Sequence, residues 1–488
     1  MLEPRPSTIS ASAVLLTIAL LLSSPVLAAA KDGQDARQHV PLTTKAPQPK
    51  TIDWDKVTGE AIELLSKYFQ INTTNPPGNE IPAAKMLKEK FLTDGIPANT
   101  WEPLPGRGIV AARLHGIGKH NKAILLLSHM DVVPADPKEW QVPPFSGQVK
   151  DGFIWGRGTI DDKGPGVVEL MAMLAIKRSG ILLDRDILFV ATGDEEEGGK
   201  NGAQWFADHE HDVYGDAGYL LNEGGGIRAQ PNQKKLYAVS VTEKTPMWLR
   251  LTANGPAGHA AAPAADTSVT RLVHALQSLI DFHQPIRIIA PVEDFYHAVG
   301  LLNHGPKQFY DLRAALRDPV YLRQFLSEPD QNAAVHNTVA PTVLWASQKT
   351  NIIPGTATAE VDCRLLPGTD PKNFINDIRK AVNDKNVKID VILNFPSNSS
   401  PSRSFLMNAI QTLARRDDQT EAVPMMISGF TDSHYFREQN IVAYGFIPIQ
   451  LSREDARGVH GVNERISIKE LGAGIKRMVA LLKILGGR

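Results

Sequence analysis

The 488-residue sequence contains a single cysteine, Cys363. It therefore cannot close an internal disulfide, which fits an exported bacterial chain that avoids stray thiols in an oxidising space. Net charge is nearly absent as well. A formal value of −1 gives no electrostatic footprint for a polyanion, and nucleic acid is not an expected partner. Long apolar runs are missing too. The longest, Ala11 to Leu22, is roughly a dozen residues against the roughly 20 a membrane-crossing helix needs. No cysteine follows that run to carry a lipid, so no stable membrane anchor is expected. Internal repeats and low-complexity tracts are also lacking.

What is present fits an exported globular enzyme-sized chain. Arg5, the short apolar run and the small residues of "SSPVLAAA" read as a signal peptide over residues 1–30. That implies secretion, with the bacterial periplasm as the expected compartment. Residues 31–50, polar and proline-containing, read as a flexible lead-in. Beyond them, 42% hydrophobic and 22% charged residues are enough for a large core divided over two or three domains.

From Ile52 the pattern is α/β. Helical spacing in "WDKVTGEAIELLSKYF" and "AAKMLKEKFLTDG" alternates with short apolar runs at Ile109–Leu114, Ala123–Leu127, Ile187–Thr192 and Tyr219–Leu221, and "GVVELMAMLAIKRSG" reads as a buried helix closed by glycine. This predicts a central sheet flanked by helices. After Glu223 the character changes. Lys235–Gly255 reads as an amphipathic hairpin, followed by a helix over Thr267–Phe282, two further strand-like runs and a helix starting near Asp370. Residues 235–367 are thus expected to form a smaller α+β lid or dimerisation domain inserted between catalytic segments 51–234 and 368–488. Asn303–Asn332 is expected to be helical and to belong to the lid.

Titratable residues collect where strands end. "LLLSHMDVVP" delivers His129 and Asp131, "GRGTIDDKG" Asp161 and Asp162, "ATGDEEEGG" Asp194 to Glu197, and "LLNEGGG" Glu223. One such acidic run is also what a helix start favours through its macrodipole. Several converging carboxylates, however, repel one another unless a cation neutralises them. A histidine among them points to zinc, cobalt or manganese rather than calcium. A second imidazole is available at His460 in "ARGVHGVNERI".

The stretches "SHMDVVP", "WGRGTIDDKG", "ATGDEEEGG", "GPAGHAAAP", "TNIIPGTATAEVDCRLLPG", "GFTDSHYF" and "GVHGVNE" together resemble the M20 family of zinc peptidases, in that family's order. "INTTNPPGNE" and "EWQVPPFSGQVKDGFIWGRG" resemble its branch of carboxypeptidase S and N-acyl amino-acid hydrolases. The resemblance implies two zinc ions, replaceable by cobalt or manganese. It assigns His129 and Glu223 to one ion, Glu196 and His460 to the other, and Asp161 to a bridge between them. Asp131 would hold the other nitrogen of His129, and Asp162 would follow Asp161 across a cis peptide. Glu195 would act as general base. Where many relatives have Asp-Glu, this chain has Asn222-Glu223, which loses an aspartate near the metals. His259 would reach the active site of a partner subunit to stabilise an oxyanion, while Asn351, Arg364 and the backbone at Gly429 would grip the substrate's carbonyl and carboxylate. Phe430 stands where a small residue is commoner and is expected to narrow that pocket.

The expected activity is hydrolysis of an amide bond to release an amino acid with a free carboxylate, as a carboxypeptidase or dipeptidase, or alternatively as an N-acyl amino-acid hydrolase. A reading of another class, a non-catalytic metal-stabilised peptide binder, has no use for a base at Glu195. A homodimer is implied by analogy, although the extra residues around Asn303–Asn332 would also suit a monomer.

Overall fold

The apolar run before His129 does not alternate because its strand is covered on both sides. In the computed structural model, which describes residues 48–487 apart from 119–121, 230–233 and 304, Ala123–His129 is buried along its whole length. Ile124 and Leu126 enter one core, while Leu125 and Leu127 enter another on the opposite face. Each fully buried leucine stabilises the fold by about 1.5–3 kcal/mol. The expected signal peptide and most of the lead-in lie outside the described residues.

This strand is central in a mixed sheet. The order runs Ala98–Trp101, Ile109–Leu114, Ile187–Thr192, Ala123–His129, Ala217–Asn222, Val442–Gly445, Leu236–Glu243, Gly226–Arg228 and Gln450–Leu451, with Ala422–Ile427 pairing alongside Leu236–Glu243. The strands Ile187–Thr192, Ala123–His129, Ala217–Asn222 and Val442–Gly445 are mutually parallel neighbours, so their carboxyl ends share one edge. Helices Trp54–Gln70, Lys163–Ser179 and Ile468–Leu485 pack on one face through the larger core. Lys163–Ser179 lies so close to the His129 strand that a Cβ on Gly166 would come within 2.8 Å of Ser128 Oγ. The helix stops at Gly180, whose φ of 72° is the left-handed conformation in which glycine closes helices.

The second, smaller sheet is antiparallel, in the order Thr338–Trp345, Thr356–Leu365, Thr245–Asn254, Val387–Asn394. Along Thr356–Leu365 buried residues alternate with more exposed ones, because only one face is covered. That cover is helix Ser268–Ile280, started by the Thr267 capping box, and helix Pro371–Val382, capped by Asp370. Cys363 is buried in this core.

Two expectations require correction. The segment Lys235–Gly255 is not a hairpin of the inserted domain. Leu236–Glu243 belongs to the large sheet and Thr245–Asn254 to the small one, so the chain crosses between them at Lys244, and Val387–Asn394, beyond residue 367, joins the small sheet. Leu236–Glu243 finds its edge partners in Ala422–Ile427 and Gly226–Arg228 rather than in Thr245–Asn254, and lying inside the large sheet it is buried along its whole length. The stretch around Asn303–Asn332 is helical, with helices Ala290–Asn303, Leu312–Ala315, Pro319–Leu326 and Pro329–Val335. Its apolar residues Val292, Tyr296 and Phe325, however, cluster with Met426 of the large sheet rather than with the small-sheet core. No helix among the described residues is long and apolar enough to cross a membrane.

Candidate metal centre and active site

Three of the adjacent parallel strands release their loops side by side. His129 ends one, Asp194–Glu196 follow Thr192 at the end of the next, and Glu223 follows Asn222 on the other flank. Asp161 comes from the loop before helix Lys163–Ser179, and its peptide to Asp162 is cis. His460 comes from a loop near the C-terminus, at a left-handed φ of 56°. Asp161 lies between the two imidazoles: one oxygen is 2.9 Å from His129 Nε2 and the other 3.1 Å from His460 Nε2. Glu196 Oε2 is 3.3 Å from His460 Nε2 and Glu223 Oε1 is 3.7 Å from His129 Nε2. All five candidate ligands are thus brought together.

The electrostatics of this cluster favour positive charge. Burial disfavours a charged His129, but the carboxylates of Asp131 and Asp161 outweigh it and hold the imidazole well above its ordinary pKa. Hydrogen bonding to Asp161 and Glu196 pushes His460 up to about 10. Burial and the charge of Asp161 raise both Glu196 and Glu223. Glu196 Oε1 is buried without a partner. Two imidazoles and three carboxylates, with a buried acceptor to spare, form a donor set suited to divalent zinc, cobalt or manganese. The sets His129–Asp161–Glu223 and Asp161–Glu196–His460 each place their ligand atoms within 4.8 Å of one another. Glu195 adjoins the cluster. Burial, with the carboxylates of Glu223 and Glu196 acting against the imidazole of His129, pushes its carboxyl well above the usual range, as suits a group that must take up a proton.

The residues expected to grip substrate fall into two places. Arg364 and the loop of Gly429 meet. The guanidinium lies 4.9 Å from the Phe430 ring and 5.9 Å from that of Trp248, so Phe430 does stand against the arginine. Asp362 occupies Nε and Nη2 at 2.7 and 2.9 Å. The same loop reaches the metal edge, since Asp432 accepts a hydrogen bond of 2.7 Å from Thr192, the residue paired with His129. His259 and Asn351 are elsewhere. Both are exposed; His259 Nδ1 accepts the Ala261 N–H at 3.0 Å and the Asn351 carbonyl accepts the Ala260 N–H at 3.2 Å. Among the described contacts neither touches the five ligands, so within one chain these two are not brought to the centre.

Residues 125–484 match Peptidase family M20/M25/M40. The chain belongs to that family. It is 31% identical over 368 residues to probable carboxypeptidase S-like 2 of Dictyostelium discoideum, spanning 72% of this chain and 70% of that protein. To the N-fatty-acyl-amino acid synthase/hydrolase PM20D1 of Homo sapiens it is 32% identical over 378 residues, 74% of this chain and 73% of that one. Its fold is that of an M20 family metallo-carboxypeptidase, Sso-CP2 from Sulfolobus solfataricus, with a TM-score of 0.68 at 21% identity over 88% of this chain and 100% of that one. The protein is therefore a metal-dependent hydrolase of the peptidase and amidohydrolase type.

In this M20 hydrolase the role of Asp131 is wider than steadying an imidazole. His129 Nδ1 lies 3.0 Å from the Asp131 backbone carbonyl and 3.5 Å from the carboxylate. That carboxylate accepts the backbone N–H groups of Glu195 and Glu196, each at 3.1 Å, and the Asn75 amide at 2.8 Å. Arg107 ties the arrangement down by donating to Asn75 Oδ1 at 2.8 Å and pairing with Glu80 at 2.9 Å and Asp194 at 3.0 Å. Sequence reasoning missed Asn75 and Arg107. The first lies inside the quoted "INTTNPPGNE", but nothing in one sequence shows that Arg107 meets it. Asn222, at the position of the missing aspartate, donates to Ser433 Oγ at 3.1 Å, a contact for which an amide suffices.

Proposed function

We propose that this protein is a secreted di-zinc hydrolase that cleaves an amide bond to release an amino acid with a free α-carboxylate, as a carboxypeptidase or dipeptidase. The observation that carries the reading is Asp161 standing between His129 and His460 with the buried Glu195 beside them. His129 and Glu223 would hold one zinc, Glu196 and His460 the other, and Asp161 both. When bound, such a pair lowers the pKa of water and polarises the scissile carbonyl. Glu195 takes the proton of the attacking water and returns it to the departing nitrogen. Arg364, with Nη1 left over from its pairing to Asp362, and the backbone at Gly429 hold the substrate carboxylate. Asp131 keeps the base and its neighbouring ligand in register through their N–H groups.

A second reading, hydrolysis of N-acyl amino acids, is favoured by the 32% identity to a relative named for that chemistry. The same grip on the carboxylate serves both, and only the acyl side separates them. A silent peptide binder would need no buried base. The apolar run after Arg5 and the lone cysteine support export to the periplasm. The exposure of His259 and Asn351 supports a homodimer in which His259 of the partner subunit completes the site, to be checked by sedimentation. The deciding experiment follows hydrolysis of a panel of dipeptides and N-acyl amino acids by the mature protein, with and without chelator. Chelator-sensitive cleavage is expected; a protein that takes up zinc and cleaves none of them is a binder.

A further inference from the structure

The two proposed metal positions are not built alike. His129 ends a strand buried in the centre of the sheet, and Glu223 and Glu196 closely follow two others, so the difference lies in His460. His460, whose side chain is 56% exposed, sits in a loop with left-handed backbone at residues 460 and 463. What holds that loop is a buried ion pair, Arg157 to Glu464 at 2.9 Å, with side chains 3% and 0% exposed. Glu464 turns one oxygen to the N–H groups of Ile160 at 2.7 Å and Asp161 at 3.1 Å, and the other to the N–H of Gly158 at 3.0 Å. Arg157 donates to the carbonyls on either side of His460, Gly461 at 2.7 Å and Gly458 at 3.5 Å. Its guanidinium also lies over the Trp140 ring at 5.2 Å.

One carboxylate thus fixes the backbone of the bridging Asp161, and through its arginine the backbone around His460. Neither side chain of the pair has a described contact with His129 or Glu223. Ligand loops that are not backed by a strand must be held in geometry by such outer contacts, and losing them typically weakens metal binding by about 10- to 100-fold. We infer that Arg157 and Glu464 are positioning residues for the metal ligands: Arg157, through the backbone around His460, sets the affinity of the Glu196–His460 position separately from that of the His129–Glu223 position, whereas Glu464, through the backbone of the shared Asp161, bears on both. The inference rests on the two-metal reading above.

The test titrates the metal-free full-length mature chain with zinc alone, and in parallel with cobalt followed by its absorption spectrum, for the wild type, Glu464→Gln and Arg157→Lys. The wild type is expected to bind two ions. In Arg157→Lys only one ion should weaken, by about 10- to 100-fold, the other staying close to its wild-type affinity, while Glu464→Gln should weaken both. Excess zinc should restore turnover, which a purely structural defect would not allow. Arg157→Lys keeps a buried cation opposite Glu464 and decides the matter alone should Glu464→Gln fail to fold. Equal weakening of both ions in Arg157→Lys, or of neither, overturns the inference while leaving the two-metal reading standing. A wild type that binds one ion overturns that reading instead, and this inference with it.

Discussion

Replacing Asp131 by asparagine isolates how far the active site depends on one buried carboxylate. The side chain is fully buried, so water cannot substitute for what is lost. Although burial opposes its charge, His129, Asn75 and the Glu196 N–H hold its pKa below the ordinary range, and the wild-type group is an anion accepting from both of its oxygens. Oδ1 takes the Glu195 N–H, while Oδ2 takes the Asn75 amide and the Glu196 N–H. An asparagine has one acceptor oxygen. In either orientation its NH2 faces at least one of these donors, leaving a buried N–H unpaired at about 1–3 kcal/mol, and the bonds that survive lose their charge assistance at about 1 kcal/mol each. The sum is about 3–5 kcal/mol, a large share of the 5–15 kcal/mol that typically separates a folded domain from its unfolded state. Urea unfolding of the metal-free variant should show its midpoint lowered accordingly, and zinc titration should show weaker uptake because Glu196 is no longer held. An unchanged midpoint together with unchanged zinc affinity would refute the role given to this carboxylate.

Glu195→Gln keeps the shape of the base and should lower kcat by about 10²- to 10⁴-fold with zinc content unchanged; zinc loss in its place would mean that base and ligand have been interchanged. Arg107→Ala leaves Glu80 and Asp194 buried without their cation and should lower stability by about 3–5 kcal/mol, read as the shift in denaturant midpoint. In the metal-free protein the folded pKa of His460, near 10, lies above its unfolded value of about 6.5. Its contribution is therefore complete below pH 6.5 and lost as pH rises toward 10. Melting temperature should fall across that window after chelation and hold steadier in the zinc-loaded protein, where metal replaces the proton.

The large sheet and the strand-end clusters were legible because their causes are local. A strand covered on both faces must be apolar throughout, so Leu125–Leu127 announces its own position, and glycine marks the end of helix Lys163–Ser179. The domain crossing at Lys244 was not legible. Leu236–Glu243 and Thr245–Asn254 both read as strands, and which sheet each joins depends on partners as far away as Ala422–Ile427 and Thr356–Leu365. The helical stretch after Ala290 showed its periodicity but not that its apolar face turns to Met426 of the large sheet.

At the site the division is similar. Residue type and placement were enough to single out the strand-end clusters holding His129, Asp161, Asp194 to Glu197 and Glu223, with His460 as a second imidazole, because repulsion among so many carboxylates has few resolutions other than a cation; which of these would be ligands, and Glu195 the base, came from the family resemblance. Folding alone decided that Asp131 serves the Glu195 and Glu196 backbone, that Arg107 meets Asn75, that Glu464 joins two ligand loops, and that His259 lies apart from the ligands within one chain. Those contacts link positions dozens to hundreds of residues apart, and such hydrogen bonds leave no periodicity in a sequence from which they could be read.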